Sequence, residues 1–128
     1  MLDHIGLAVS DFTKSKDFYD AALTPLGIGI VMEVTLEESG GGRHAGFGSQ
    51  RKPYFWIGTG DGPKGGTHVA FTAENRGEVD AFYRAAMAAG GKDNGPPGQR
   101  PDYHPNYYAA FVFDPDGNNI EAVCHKPE

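Results

Sequence analysis

The amino-acid sequence predicts an α+β fold made of two consecutive β-α-β-β-β modules. The first observation is an internal repeat. Shifting the 128-residue chain by 64 residues, half its length, aligns HIGLAVSDFTKSKDFYDAAL at 4–23 with HVAFTAENRGEVDAFYRAAM at 68–87 without a gap. The second is that both halves place a short apolar run before an amphipathic helix, with strand-like runs after it. We therefore expect a single domain over residues 1–128, with module one at 1–62 and module two at 63–128.

Module one is expected to begin with the strand Ile5–Val9, because β-branched and other apolar residues favour this state. The next helix begins after Asp11, whose carboxylate can accept hydrogen bonds from exposed backbone N–H groups. It ends at Pro25 and Gly27. The glycine run at 40–42 is expected to form a loop. Three further strands complete the module: Ile28–Thr35, Arg43–Gly48 and Tyr54–Gly58.

Module two is expected to repeat this order, beginning with the strand Val69–Thr72. Its helix begins after Asn75, with Glu78 placed three residues later in a capping-box arrangement. Residues 90–105 contain four of the nine prolines, so we expect a loop-rich segment in which any strand is short. Two strands end the module, separated by a turn whose proline and glycine suit its backbone angles: Tyr107–Phe113, the turn at 114–117, and Asn119–His125.

Composition and charge exclude several classes of function. A net charge of −6 and a sequence pI near 5.2 disfavour a nucleic-acid partner. No run of about 18 apolar residues is present, so we expect no membrane span, and the N-terminus lacks the basic and apolar parts of a signal peptide. The single cysteine, Cys124, cannot form an internal disulfide, which favours a reducing, cytoplasmic setting. We expect a small-molecule substrate or a protein partner.

Two histidines occupy equivalent places in the repeat. His4 and His68 each stand at the start of a first strand, so a pseudo-twofold relation between the modules can bring their imidazoles together. Glu121 lies among apolar residues in the last strand, where a glutamate faces either solvent or a pocket. Two histidines and one carboxylate form a facial triad suited to Fe(II) and tolerant of Mn, Co, Ni or Zn. The alternative is that each residue is structural or solvated, as most isolated histidines and strand glutamates are.

Four stretches of sequence carry a family resemblance: LDHIGLAVSD at 2–11, the Phe18-Tyr19 pair, GTHVAF at 66–71 and FDPDGNNIE at 113–121. On these motifs the chain resembles the vicinal-oxygen-chelate superfamily, which includes glyoxalase I, extradiol dioxygenases, fosfomycin-resistance enzymes and bleomycin-resistance proteins. The resemblance implies a cup-shaped mixed sheet, the glyoxalase/dioxygenase-like fold, around a divalent metal held by His4, His68 and Glu121. It also implies a homodimer whose cups combine modules of different subunits.

The chain departs from individual members of that superfamily. Glyoxalase I has a fourth ligand, a glutamate, whose equivalent here is Ile57, or Trp56 after a shift of one residue; neither binds metal. Bleomycin-binding members lack the metal ligands that this chain keeps. The extradiol pattern matches at His104 and at the Asp-Pro-x-Gly-x-x-x-Glu ending, but Phe111 stands at its tyrosine position and the chain is shorter than usual for that family.

These observations lead to two classes of function. The first is a metal-dependent lyase or oxygenase acting on two vicinal oxygens of a small substrate, with His104 as the acid/base. The second is a metal-independent protein that binds or sequesters a small molecule, as bleomycin-resistance proteins do. A glyoxalase I-like lyase with an altered ligand set is a further alternative. In each case the expected pocket-lining residues are Trp56, Ile57, Tyr103, Tyr107 and Tyr108.

Overall fold

The computed structural model describes the backbone of residues 1–128 and every side chain except those of residues 36 and 39. Its strands are β1 (Ile5–Ala8), β2 (Gly29–Val34), β3 (His44–Ser49), β4 (Lys52–Gly58), β5 (His68–Thr72), β6 (Lys92–Gln99), β7 (Tyr108–Phe113) and β8 (Asn119–Cys124). Its helices are α1 (Phe12–Leu23), α2 (Leu36–Ser39) and α3 (Arg76–Ala88), with a 3-10 turn at Thr24–Leu26. Within the described residues, none of these helices has the length and apolar character needed to cross a bilayer.

The strands form two four-stranded sheets with the same internal order. Sheet 1 runs β1-β4-β3-β2 and sheet 2 runs β5-β8-β7-β6. In each sheet the first strand lies parallel to the last strand of its module, and the remaining pairs are antiparallel. The prediction of an α+β fold with two β-α-β-β-β units is therefore confirmed. The module boundary between residues 62 and 63 remains a prediction.

Side-chain caps fix the starts of the helices. Asp11 Oδ1 accepts a hydrogen bond from the backbone N–H of Lys14 at 3.1 Å, and Asn75 Oδ1 accepts from that of Glu78 at 2.9 Å. The Glu78 carboxylate reaches back one residue further than a standard capping box, to the N–H of Glu74 at 2.9 Å. Both predicted N-caps are thus present, which explains why the two long helices begin at equivalent places in the repeat.

The short helix α2 is not among the predicted elements, although the sequence contains a capping motif for it. Thr35 Oγ1 accepts from the N–H of Glu38 at 3.2 Å, while Glu38 Oε1 accepts from the N–H of Thr35 at 3.2 Å. This reciprocal pair is the capping box that a Thr-x-x-Glu sequence favours. The helix precedes the predicted glycine loop.

The expectation of little strand structure in residues 90–105 is wrong, because β6 covers eight residues, Lys92–Gln99. β6 is an edge strand that pairs with β7 alone, and its register shifts between Asp93 and Gly95 and again between Gly95 and Gly98. Edge strands and bulges tolerate proline because no ladder hydrogen bond is required of it there. Pro96 and Pro97 lie between Gly95 and Gly98, where the second register shift occurs, so they do not prevent β6 from forming.

A single apolar core joins the two modules. Tyr19 of α1 contacts Phe55 of β4, with ring centroids 4.9 Å apart, and Phe55 contacts Phe71 of β5 at 5.2 Å. α3 packs against β7 and β8, and it also contacts α1. One face of each sheet is thereby covered by helices and core. The opposite face, which we call the open face, points away from this core in both sheets.

A buried carboxylate also connects the modules. Asp114, in the turn between β7 and β8, is 5% exposed and accepts a hydrogen bond from the Tyr19 hydroxyl. Three further donors are the backbone N–H of Asp116 at 2.9 Å and the backbone N–H and side-chain amide of Asn118, both at 2.8 Å. Burying a charged group is costly unless it is hydrogen-bonded in this way. The turn is therefore ordered locally and attached to helix α1.

This contact predicts a pH dependence of stability. Burial, followed by the nearby Asp114, raises the pKa of Tyr19 well above its ordinary value of 10.0. The folded protein then retains the phenol proton at a pH where the unfolded chain loses it, so stability is intact below about pH 10 and falls as the pH rises further.

We expect Tyr19→Phe to lower the unfolding free energy by about 1 kcal/mol at neutral pH. Above about pH 10, the stability of this variant should decline less steeply with pH than that of the wild-type protein. Urea titrations of both proteins on either side of pH 10 measure this. Parallel declines for the two proteins would contradict the assignment.

Candidate functional site

The open face of sheet 2 presents the predicted glutamate. Glu121 of β8 pairs with Ala70 of β5 on one side and with Phe111 of β7 on the other. Successive strand residues point to opposite faces, so its neighbours Ile120 and Ala122, both 0% exposed, enter the core while Glu121 projects from the open face. The sequence alone does not determine whether the Glu121 side chain faces solvent or a pocket. The contacts of the carboxylate in the structure distinguish these alternatives.

Glu121 is a buried carboxylate with two side-chain partners. It is 1% exposed. His68 Nε2 donates to Glu121 Oε1 at 2.8 Å, and the Tyr107 hydroxyl donates to Oε2. The imidazole itself is about half exposed, at 52%. Two of the three predicted metal ligands therefore lie side by side, with the histidine on the solvent side of the glutamate.

Tyr107 belongs to an aromatic cluster beside Glu121, formed by Tyr103, His104, Tyr107 and His125. The Tyr107 ring lies 5.1 Å from Tyr103 and 5.1 Å from His125, and His125 lies 5.8 Å from His104. Burial, and secondly the bond to Glu121, raises the pKa of Tyr107 to about 12. Its hydroxyl consequently remains a donor throughout the neutral range.

His104 stands at the outer side of this cluster. Its Nδ1 accepts a hydrogen bond from the backbone N–H of Asn106 at 3.2 Å. This bond places the proton of the neutral ring on Nε2, because the other nitrogen acts as acceptor. His125 and Tyr107 lie between His104 and Glu121 in the series of ring contacts, so two rings separate His104 from the carboxylate.

Tyr108 lies on the other face of the sheet from Tyr107. Its hydroxyl donates to Asp80 of α3 at 2.7 Å, and this bond, followed by burial, raises the pKa of Tyr108. Arg76 stacks over its ring with 5.0 Å between the guanidinium carbon and the ring centroid. The structure thus places Tyr103 and Tyr107 near Glu121, and Tyr108 against the helix.

His125 is a further member of this cluster, and the motifs of the sequence do not identify it. A signal for its position is available, because residues two apart share a face of a strand and 121, 123 and 125 form such a series. β8 ends at Cys124, so His125 continues that series just beyond the strand. Cys124 itself is buried, at 1% exposure.

His4 lies apart from the His68–Glu121 pair. Its Nδ1 donates to Asp3 Oδ2 at 2.7 Å, and Lys52 Nζ donates to Asp3 Oδ1 at 2.8 Å. The bond from Lys52, followed by that from His4, lowers the pKa of Asp3. This arrangement orients the imidazole and leaves Nε2 available, as the carboxylate partners of metal-binding histidines do.

His4 and His68 both border a cavity of about 590 Å³ between β1 and β5. Among the side chains that the structure describes, no three His, Cys, Asp or Glu groups of one chain come together closely enough to hold a metal ion. A single chain therefore brings His68 and Glu121 together and leaves His4 outside the pair.

The chain matches a known family of proteins over nearly its whole length. A family model described as the Glyoxalase/Bleomycin resistance protein/Dioxygenase superfamily matches residues 1–122. The chain belongs to this superfamily. The resemblance that the sequence motifs indicate is therefore confirmed. A search of curated proteins gives no match.

Solved structures support the same assignment. A glyoxalase/bleomycin resistance protein from Albidiferax ferrireducens is 33% identical, with 99% of both chains covered and a TM-score of 0.78. Glyoxalase I from Zea mays is 23% identical with a TM-score of 0.73, and the match covers 96% of this chain but only 45% of the maize chain. A mutant of the fosfomycin resistance protein FosX from Listeria monocytogenes, complexed with Mn(II) and a dihydroxypropylphosphonic acid, is 20% identical with a TM-score of 0.67, covering 96% and 88% of the two chains. At these lower identities the likeness is one of fold.

Within the superfamily fold, strand register decides which residue of module one corresponds to Glu121. Gly6 aligns with Ala70 in the repeat; Gly6 pairs with Trp56, whereas Ala70 pairs with Glu121. Trp56 therefore occupies the place of Glu121, and Ile57, at 1% exposure, packs in the core. The open face of sheet 1 carries an indole at the position where resemblance to glyoxalase I would require a carboxylate.

Glycine makes room for that indole. A Cβ added at Gly46, the partner of Trp56 on β3, would lie only 2.9 Å from two atoms of the indole ring. The ring consequently lies over the glycine, close to the sheet. Of the two residues expected to line the cup in this strand, Trp56 is the one on the open face.

The contact between Tyr107 and Glu121 gives a stability prediction. We expect Tyr107→Phe to lower the unfolding free energy by about 1–3 kcal/mol, because Oε2 of a buried carboxylate loses its donor. Tyr103→Phe is the matched control, since that side chain is 67% exposed and its change should stay within about 0.5 kcal/mol. Chemical denaturation at neutral pH measures both; equal losses would contradict the proposed contribution of the bond.

Proposed function

We propose that this chain is a divalent-metal-dependent enzyme of the superfamily, acting on a small substrate with two vicinal oxygens by oxygenase-type or lyase-type chemistry. The observation that carries the proposal is the buried Glu121 carboxylate with His68 Nε2 2.8 Å from it on an open sheet face. Imidazole nitrogen and carboxylate oxygen together suit Fe, Mn, Ni, Co or Zn. Both residues are the ones that the family resemblance assigns to the metal.

The third ligand in this proposal is His4 of a second copy of the chain. Its ring is oriented by Asp3 and has Nε2 free, while its own chain holds it away from His68 and Glu121. Module one also exposes several large apolar side chains. They are Leu2 at 81%, Ile5 at 36%, Ile30 at 37% and Met32 at 49% exposure. We therefore propose a homodimer with shared sites.

The residues of the chain have distinct tasks in this proposal. His68, Glu121 and His4 would hold the metal, which when bound supplies Lewis-acid polarisation of the substrate oxygens. The Tyr107 hydroxyl holds the Glu121 carboxylate in position. His104 moves a proton through Nε2, because its Nδ1 is engaged by the backbone of Asn106. Trp56 and Tyr103 line the substrate space.

The residues around the site favour this proposal over two others. A glyoxalase I-like set of four ligands would need a carboxylate where Trp56 stands. A metal-free sequestering protein would not need a carboxylate buried beside an imidazole, and burying one is unfavourable without a compensating role. We also propose a cytoplasmic location, because the one cysteine is buried and unpaired.

Metal binding tests the proposal directly. We expect Mn(II), Co(II), Ni(II) or Zn(II) to bind in calorimetry, and His68→Gln and Glu121→Gln to weaken binding by at least about a hundredfold. Glutamine can keep a hydrogen bond at either position, so folding is preserved. The matched control is Asp17→Asn, which removes an exposed carboxylate of helix α1 and should leave affinity unchanged. Tight capture of a small molecule by metal-free protein, without metal binding, would favour sequestration instead.

Mixing two inactive variants tests the shared site. His4→Ala and Glu121→Gln should each bind little metal alone. In an equimolar mixture that has exchanged subunits, half of the dimers pair the two variants and each contains one intact site, so metal content should rise to about a quarter of the wild-type value. Gel filtration followed by metal analysis measures this. No recovery despite confirmed subunit exchange would place the site within one chain.

A further inference from the structure

Arg100 lies on the same open face of sheet 2 as Glu121. It follows β6, and its guanidinium rests against two glycines of that strand. A Cβ added at Gly95 would lie 3.2 Å from Nη2, and one at Gly98 would lie 3.2 Å from Nη1. The guanidinium carbon is 5.3 Å from the centroid of the Phe111 ring. The two glycines thus leave the space that the guanidinium occupies.

The strand register sets the separation between Arg100 and Glu121. Gly95, Phe111 and Glu121 form one cross-strand row over β6, β7 and β8. Neighbouring strands are about 4.8 Å apart, so the guanidinium over Gly95 lies on the order of 10 Å from the Glu121 position, measured along the row. The Phe111 ring fills the interval and also approaches the His68 ring, at 6.3 Å between centroids.

The positive charge of Arg100 is not neutralised by a carboxylate among the described side chains. Its hydrogen bonds go to backbone carbonyls, from Nη2 to Pro96 at 2.8 Å and from Nη1 to Gln99 at 3.5 Å. A guanidinium has five N–H donors in a fixed planar fork, so donors remain for a ligand. By contrast, Arg76 pairs with Glu128 at 2.9 Å. Arg100 therefore brings a positive charge to the open face, about 10 Å from the position of Glu121 along the row.

The backbone holds Arg100 in this place. Its N–H donates to the carbonyl of Tyr107 at 2.7 Å, and its own carbonyl accepts from the N–H of Tyr103 at 3.0 Å. The segment that carries the aromatic cluster is thereby tied to Arg100 at both ends. Glu121, Phe111 and Arg100 consequently form a fixed series of an acidic, an apolar and a basic group along one row.

We infer that Arg100 binds a carboxylate of the ligand whose vicinal oxygens are held at the His68–Glu121 end. A planar guanidinium matches a carboxylate with two parallel hydrogen bonds, which are stronger than neutral ones. Phe111 then packs against the carbon skeleton between the two ends. This inference rests on the proposed function, and it narrows the substrate class to anionic molecules with a carboxylate distant from the vicinal oxygen pair.

The test uses the zinc-loaded protein, because zinc does not support redox turnover, and two probes that differ by one group. Catechol carries two vicinal hydroxyls, and protocatechuate adds a carboxylate on the opposite side of the ring. We expect protocatechuate to bind at least about tenfold more tightly than catechol, as one charge-assisted pair provides. Arg100→Gln should abolish that preference, and Arg100→Lys should keep part of it. Arg84→Gln, an exposed arginine of α3, is the matched control and should keep all of it.

The outcomes separate this inference from the metal proposal. If Arg100→Gln weakens both probes equally, or lowers thermal stability and leaves the preference intact, Arg100 is structural and the inference is overturned. If zinc binds but the wild-type protein does not distinguish the probes, the inference fails while the metal proposal stands. If zinc does not bind, yet protocatechuate is preferred in an Arg100-dependent way, the metal proposal fails and the carboxylate site stands.

Discussion

The open face of sheet 2 is organised by the need to satisfy one buried carboxylate. Glu121 is 1% exposed and cannot remain there as an unpaired charge. One donor, His68, comes from the neighbouring parallel strand, and the other, Tyr107, comes from the end of the segment that joins β6 to β7. Holding Tyr107 in place fixes that segment, which in turn positions Tyr103, His104 and Arg100. An apolar residue in place of Glu121 would remove the acceptor of the hydrogen bonds from His68 and Tyr107, on which this arrangement depends.

A comparison with the other buried carboxylate shows why Glu121, and not Asp114, is the candidate ligand. A carboxylate offers about four acceptor positions. Asp114 receives four hydrogen bonds, from Tyr19, Asp116 and two groups of Asn118, so it is saturated by the protein. Glu121 receives two, and one of these comes from an imidazole that is itself a candidate ligand. Asp114 is thus explained by the attachment of the modules, whereas Glu121 keeps capacity for a further partner.

The sequence predicted the fold well because the repeat covers the strand and helix that begin each module, where both caps formed as expected. It did not decide between Trp56 and Ile57, since the ungapped offset assumes that both modules have equal strand connections. In the structure the connections differ by one residue, because Gly6 pairs with Trp56 whereas the equivalent Ala70 pairs with Glu121, and this pairing assigns Trp56 to the place of Glu121. The sequence did not predict β6, because the prolines of this segment argue against a regular strand but are compatible with an edge strand that contains bulges. Arg100 was missed because its placement depends on the glycines of that strand.

The two modules share a fold but present opposite chemistry. Module one presents Trp56, whose ring lies over Gly46, and His4, which is oriented by Asp3. Module two presents Glu121, His68 and Arg100. In the proposed site the three ligands and the apolar wall come from one face of each kind, because neither set alone provides all of them. The helix-covered faces of both sheets meet in one core, where Phe55 contacts Phe71 at 5.2 Å, and the two open faces point away from it. Two copies of the chain can therefore bring complementary faces together without disturbing that core, which is the physical argument for a shared site.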